Sequence, residues 1–195
     1  MNREEILEKT AEFAFSSCSS FDPGHDKDHL LRVKRLSLEI ASSYFCDTFL
    51  VEMLAYLHDV EDDKFESHSK VGDFLAHLDI EEEIKAKILS LLPFMSFHKY
   101  PTLPGDFPIE GKIVVDADRL DALGAVGVAR AFSYGGSKGR KMYGSSDSTL
   151  AHFEEKLLHL DQYLHLDASK EMAKERMDYL KSFYARFKEE IHDGH

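Results

Sequence analysis

The chain has 195 residues, 43% of them hydrophobic, and a formal net charge of −12, a length that fits one domain with a filled core or a domain with a helical extension. The acidic balance excludes general nucleic-acid binding, which runs on basic patches, so an anionic substrate must be drawn in by a local cluster of cations or by a metal. No stretch approaches ~18 uninterrupted apolar residues, which excludes a transmembrane helix.

Two cysteines, Cys18 and Cys46, make no disulfide framework and fall in no metal-binding spacing. The N-terminus, Met1-Asn2-Arg3-Glu4-Glu5, is acidic and lacks a signal-peptide core. A reducing cytoplasm is the expected compartment.

Residues 1–16 read as a first helix with Ile6, Phe13 and Ala14 apolar. Ser16 to Gly24 is turn-rich, and Asp22-Pro23-Gly24 breaks the chain. A second helix runs through His29, with Leu30, Val33, Ser37, Ile40, Ala41 and Tyr44 on one face. Asp47 or Thr48 caps a third helix that ends near His58-Asp59. Ser67 is expected to cap a fourth helix, with Val71, Phe74, Leu75 and Leu78 facing inward, and Asp79 a fifth, carrying Ile84, Ile88 and Leu91 and stopped by Pro93.

Four prolines make residues 93–110 a loop. A helix from about Gly111 to Ser133 is rich in small residues (Ala117, Ala122, Gly124, Ala125, Gly127 and Ala129), which would let backbones approach closely. Ile113-Val114-Val115 is too short and isolated for a strand. Tyr134 to Ser148 reads as a glycine-rich loop. Two long amphipathic helices close the chain, the last keeping Ala173, Met177, Leu180, Tyr184, Phe187 and Ile191 in helical register. The expected fold class is all-α.

Three of these helices carry ligand chemistry. Val51, Leu54, Ala55 and His58 fall at i, i+3, i+4 and i+7, so His58 continues a buried face and Asp59 follows it directly. Burying that pair is costly unless a cation neutralises the carboxylate and takes the imidazole as a ligand. Alone, the pair reads more readily as a satisfied core histidine beside a surface acid, and the two further helices reverse that balance. The second helix adds His29 with Arg32 on one face, and the small-residue helix adds Asp116, Asp118 and Asp121.

A histidine, then a His-Asp pair, then an aspartate within Asp116-Ala117-Asp118-Arg119-Leu120-Asp121 resembles the HD-domain metal-dependent phosphohydrolases. The segments Phe153 to Leu158 and Ala173 to Phe187 resemble a small stand-alone bacterial branch similar to nucleotide pyrophosphohydrolases. The resemblance implies one helical HD-type domain over 1–195, with a metal-binding core at about 20–130 and a C-terminal helical extension at about 146–192. It makes His29, His58, Asp59 and Asp118 the metal ligands. Asp118 is taken over Asp116 because the family's ligand directly precedes an Arg or Lys, which leaves Asp116 as a cap or a supporting group. It implies hydrolysis of nucleoside or deoxynucleoside triphosphates to monophosphate and pyrophosphate. Nucleoside monophosphates, guanosine tetraphosphate or cyclic nucleotides are alternative substrates, and a metal- or nucleotide-sensing module without turnover is the alternative class.

A donor set of two nitrogens and two oxygens would close a tetrahedral Zn²⁺ but leave two positions on an octahedral ion. Mn²⁺ is the first choice, ahead of Mg²⁺, Fe²⁺, Co²⁺ or Ni²⁺. Asp62 and Asp63 are the candidates to orient or deprotonate the attacking water; related hydrolases of guanosine tetraphosphate carry Glu-Asp there. Lys64, Arg119, Arg32 and His25 are candidate substrate contacts, although His25 could ligate and Arg32 could pair with a ligand carboxylate. Lys138, Arg140 and Lys141 lie in a basic loop that either closes over a polyphosphate or simply connects helices. His98 could line the site, and His152 and His159 read as surface or packing residues. The implied partner is a small nucleotide or phosphoester, with neither nucleic acid nor membrane, and the C-terminal helices could supply a homodimer surface.

Overall fold

The computed structural model describes residues 1–18, 26–60, 69–97 and 101–192. Among these no strand forms, and the all-α expectation holds. The described residues gather into two compact units whose division falls inside one helix, at the Ala117–Asp118 bond.

The first unit contains α1 (Arg3–Ser17), α2 (Lys27–Ala41), α3 (Thr48–Leu57), α4 (Ser69–Ala76), α5 (Glu82–Leu91), a 3-10 turn (Leu92–Met95) and most of α6 (Ile109–Asp121). Its centre is α3, which packs against α1, α2 and α5. Eight of its ten residues, Phe49 to Leu57 apart from Glu52, are buried, so α3 is apolar all round as only a core helix can be. Glu52 is tied to Lys34 at 3.0 Å. The starts of α1, α2 and α3 are each fixed by a side chain. Asn2 and Glu5 form a capping box on α1, Asp26 accepts from the His29 N–H at 2.7 Å, and Asp47 accepts from Phe49 N–H at 3.0 Å. The cap on α4 expected at Ser67 lies outside the described residues.

Asp79 does not cap α5. The capping position belongs to Glu81, which makes no side-chain cap bond, while Asp79 pairs with the α-ammonium of Met1 at 2.9 Å. A full positive charge outcompetes backbone amides for that carboxylate. Pro93 does not stop the chain turning either, because it sits in the first positions of the 3-10 turn, where no amide donor is needed.

The second unit holds the end of α6, then α7 (Gly124–Ser137), α8 (Thr149–Glu155), a 3-10 helix (Leu157–Tyr163) and α9 (Asp167–His192). One helix over 111–133 was expected, but two form. The break lies at extended Leu123 (φ −110°, ψ 165°) and Gly124, whose φ of +70° lies in the left-handed region that favours glycine. Gly127 completes the turn, since a Cβ there would lie 2.1 Å from the Ala122 carbonyl oxygen. The small residues thus let the chain fold back on itself. The two long closing helices reduce to one: α8 has seven residues and gives way to the 3-10 helix, and only α9 is long. Ala173, Met177 and Leu180 are buried on α9. Phe183 and Phe187 extend that face against Phe132 at 5.9 and 5.6 Å between ring centroids.

Gly127→Ala is expected to cost about 2–3 kcal/mol through this overpacking, seen as a lower melting temperature. Gly136→Ala, on the same helix with open space around the added methyl, is expected to be neutral or stabilising by up to about 1 kcal/mol. Equal effects would refute the role given to Gly127.

Candidate metal centre

Helix ends position the three side chains that converge in the first unit. His29 is the third residue of α2, where the Asp26 cap holds the opening turn. His58 is the C-cap of α3, its N–H bonded to the Leu54 carbonyl at 2.9 Å. Asp59 follows in the turn.

The His29 Nε2 atom lies 3.1 Å from Asp59 Oδ2 and 3.3 Å from His58 Nε2. His58 Nε2 lies 3.5 Å from the same carboxylate oxygen. The Nδ1 of His58 is 2.8 Å from the Ala55 carbonyl, which can only accept. Nδ1 therefore carries the proton, and Nε2 keeps its lone pair toward the cluster. Both imidazoles are buried, whereas the Asp59 side chain retains 16% exposure, so the group has one open side.

This donor set fits a divalent ion. Ligands bonded to a first-row ion at about 2.0–2.2 Å stand roughly 3.0–3.5 Å apart, in tetrahedral or cis-octahedral geometry. Two ring nitrogens and a carboxylate oxygen match that spacing, and all lie within 4.8 Å of one another. Arg32 is half-buried one turn further along α2.

Asp116 is fully buried mid-way along α6, which excludes capping of that helix. Asp118 is half-buried in the second unit. Arg119 is buried and donates to the Tyr163 carbonyl. Lys138, Arg140 and Lys141 are exposed at the far end of α7, which carries the chain about 20 Å from the α6–α7 break at ~1.5 Å per residue. That segment is pinned: Lys138 and Arg140 lie over the Tyr134 ring at 5.3 and 5.7 Å, and the Lys141 carbonyl accepts from Thr149 N–H at 2.9 Å. His25, Asp62, Asp63, Lys64 and His98 lie outside the described residues.

Sequence reading missed two features. Asp121 is buried and takes a bond from Arg130 Nη1 at 2.7 Å. Lys156 is half-buried, and burial pushes its ammonium below lysine's usual range; Asp118 opposes this, while Arg119 and Arg130 reinforce it. Nothing in Phe153-Glu154-Glu155-Lys156 distinguishes that lysine from a solvated one.

Residues 27–123 match the HD-domain family model. YpgQ of Bacillus subtilis is 38% identical over 174 residues, covering 86% of this chain and 85% of YpgQ. A crystal structure of YpgQ in complex with ADP superposes with a TM-score of 0.84, covering 97% of both chains at 33% identity over that longer alignment. An HD-superfamily hydrolase from Bacillus thuringiensis gives a TM-score of 0.79 at 38% identity, covering 98% of this chain and 99% of its own. The chain belongs to the HD-domain superfamily. Within it, the full-length structural matches include proteins described as hydrolases, and the His29–His58–Asp59 group stands where divalent-metal chemistry is expected.

In metal-stripped protein, Mn²⁺ at about 100 times its dissociation constant is expected to raise the melting temperature by about 5–10 °C. His58→Ala should abolish that rise, and a variant that keeps it would refute the centre. The Cys18 thiol is pushed above its usual range by burial and then by the Asp59 and Asp26 carboxylates, so its labelling by a disulfide reagent should be slow at pH 7.5 and accelerate as pH rises through 9. Fast labelling at pH 7.5 would contradict that environment.

Proposed function

We propose that this protein is a single-domain, metal-dependent phosphohydrolase that cleaves nucleoside or deoxynucleoside triphosphates to monophosphate and pyrophosphate. The observation that carries the phosphohydrolase reading is the convergence of His29 Nε2, His58 Nε2 and Asp59 Oδ2 at a group open on one side. The nucleotide class is supported by YpgQ, which binds ADP in its crystal structure. The pyrophosphate-releasing bond preference rests on the family resemblance.

His29, His58 and Asp59 would hold the ion, with Asp118 as the fourth ligand that the resemblance assigns. Mn²⁺ is the favoured occupant. When bound, a divalent ion supplies Lewis-acid activation of a water and of the phosphoryl group. The remaining work falls to the chain. The Ala55 carbonyl holds the His58 tautomer. Asp59 contributes the anionic donor, and the apolar surroundings of α3 keep bulk water from competing. Asp62 or Asp63 would take the proton of the attacking water.

The test is metal-stripped enzyme with a nucleotide panel, with and without Mn²⁺, products separated by chromatography. Expected are monophosphate and pyrophosphate that require metal, at a rate at least about 100-fold lower in Asp59→Ala. Inorganic phosphate with a nucleoside would overturn the bond assignment. Metal binding without turnover would overturn the enzyme in favour of a sensor.

A further inference from the structure

The helices that carry the two site histidines share a second polar contact. Lys34 Nζ of α2 lies 3.0 Å from the Glu52 carboxylate of α3, and His29 meets His58 farther from the connecting loop. The contacts are five residues apart on α2 and six on α3, about 7.5–9 Å at ~1.5 Å per residue. They are therefore successive rungs of one antiparallel helix pair. Within Phe49–Leu57, Glu52 is the residue that is not buried, so the pair borders the core along which α2 and α3 pack.

Lys34 also spans one turn of α3. Its Nζ lies over the Tyr56 ring, 5.3 Å from the centroid, and Tyr56 stands four residues after Glu52 on the same helix face. Tyr56 is buried and meets Phe15 of α1 edge-on at 5.9 Å, and Lys27 Nζ lies over that Phe15 ring at 4.6 Å. Tyr56 and Lys27 each precede a site histidine by two residues, so this network braces both helices from the side away from the metal centre. Burial would lower the Lys34 ammonium, but Glu52 and Tyr56 outweigh it and keep it above lysine's usual range. With the Lys34 side chain 29% exposed and that of Glu52 18%, the pair is more constrained than a solvated one, whose long side chains keep their freedom.

We infer that Lys34 is a positioning residue for the metal centre: holding Glu52 and the Tyr56 ring at once, it sets the register of α2 on α3 that places His29 Nε2 3.3 Å from His58 Nε2. The inference rests on the metal reading of the proposed function. A slide of one residue's rise, ~1.5 Å, would break the contact with Glu52 and carry the two nitrogens out of the separation of about 3.0–3.5 Å that one ion can bridge. A single contact at Glu52 would leave α2 free to pivot, whereas two contacts a turn apart do not.

The experiment is Mn²⁺ titration of metal-stripped protein, with free Mn²⁺ followed by electron paramagnetic resonance, in wild type, Lys34→Met, Lys34→Arg, Glu52→Met and Lys87→Met. Lys87 is the comparison because its pair with Glu110, at 3.3 Å, ties α5 to α6 and leaves the α2–α3 contact untouched. Lys34→Met and Glu52→Met are expected to weaken Mn²⁺ binding about tenfold. Lys34→Arg, which can serve both partners, should stay within about threefold of wild type, and Lys87→Met should match wild type. A folded Lys34→Met with wild-type affinity, or a Lys87→Met weakened as much as Lys34→Met, would overturn the inference and leave the metal centre standing. Wild type that takes up no Mn²⁺ would overturn the metal centre, and the inference with it. Failure of both Lys34→Met and Glu52→Met to fold by circular dichroism would also overturn the inference, making the pair a general structural tie.

Discussion

Two imidazole nitrogens and one carboxylate oxygen held 3.1 to 3.5 Å apart are the constraint around which the first unit is arranged. Keeping three polar atoms that close in a largely buried place requires backbone that does not yield. Helix ends provide it. The Asp26 cap fixes the first turn of α2 and with it His29. The end of α3 fixes His58 through two carbonyls, Leu54 for its N–H and Ala55 for its ring. The C-terminal end of a helix also carries partial negative charge, so α3 adds to the potential that favours a cation beside His58. The near-total burial of α3 has a second consequence. Such a helix cannot shift without moving α1, α2 and α5 with it, and His58 at its end inherits that rigidity.

The second unit handles charge differently. Its acids and bases cluster at the α6–α7 break, where a left-handed Gly124 and a Cβ-free Gly127 let the chain reverse tightly. The reversal brings Arg130 back to Asp121 nine residues earlier. The break therefore converts a string of acids on one helix into a mixed cluster with cations from α7, α9 and the end of α8.

Local periodicity made the helical fold and the buried histidine that caps α3 legible, because a buried helix writes its pattern in adjacent residues. It did so for an incomplete reason: the i, i+3, i+4, i+7 face of α3 is no more buried than its neighbours. Asp47 was readable as a cap because capping is a contact over two or three residues. Asp79 was not, because its partner is 78 residues away. The α6–α7 break was hidden for a related reason. Small residues permit both a close helix contact and a reversal, and only the Ala122 carbonyl against Gly127 decides between them. The surroundings of Lys156 depend on α6 and α7 neighbours that no spacing within its own segment reveals. Conversely, Lys138, Arg140 and Lys141 stood out in sequence because they are contiguous, and contiguous cations are the ones most easily left on the surface.

The net charge of −12 and the cation cluster answer different questions. At physiological ionic strength, the field of exposed charges fades over about 8 Å. The overall acidity therefore governs what approaches the protein as an extended surface, and it disfavours a polyanion that must lie across many residues. A small anion that enters a partly buried position is read by the few groups it touches, where screening is weak and each charge counts for more.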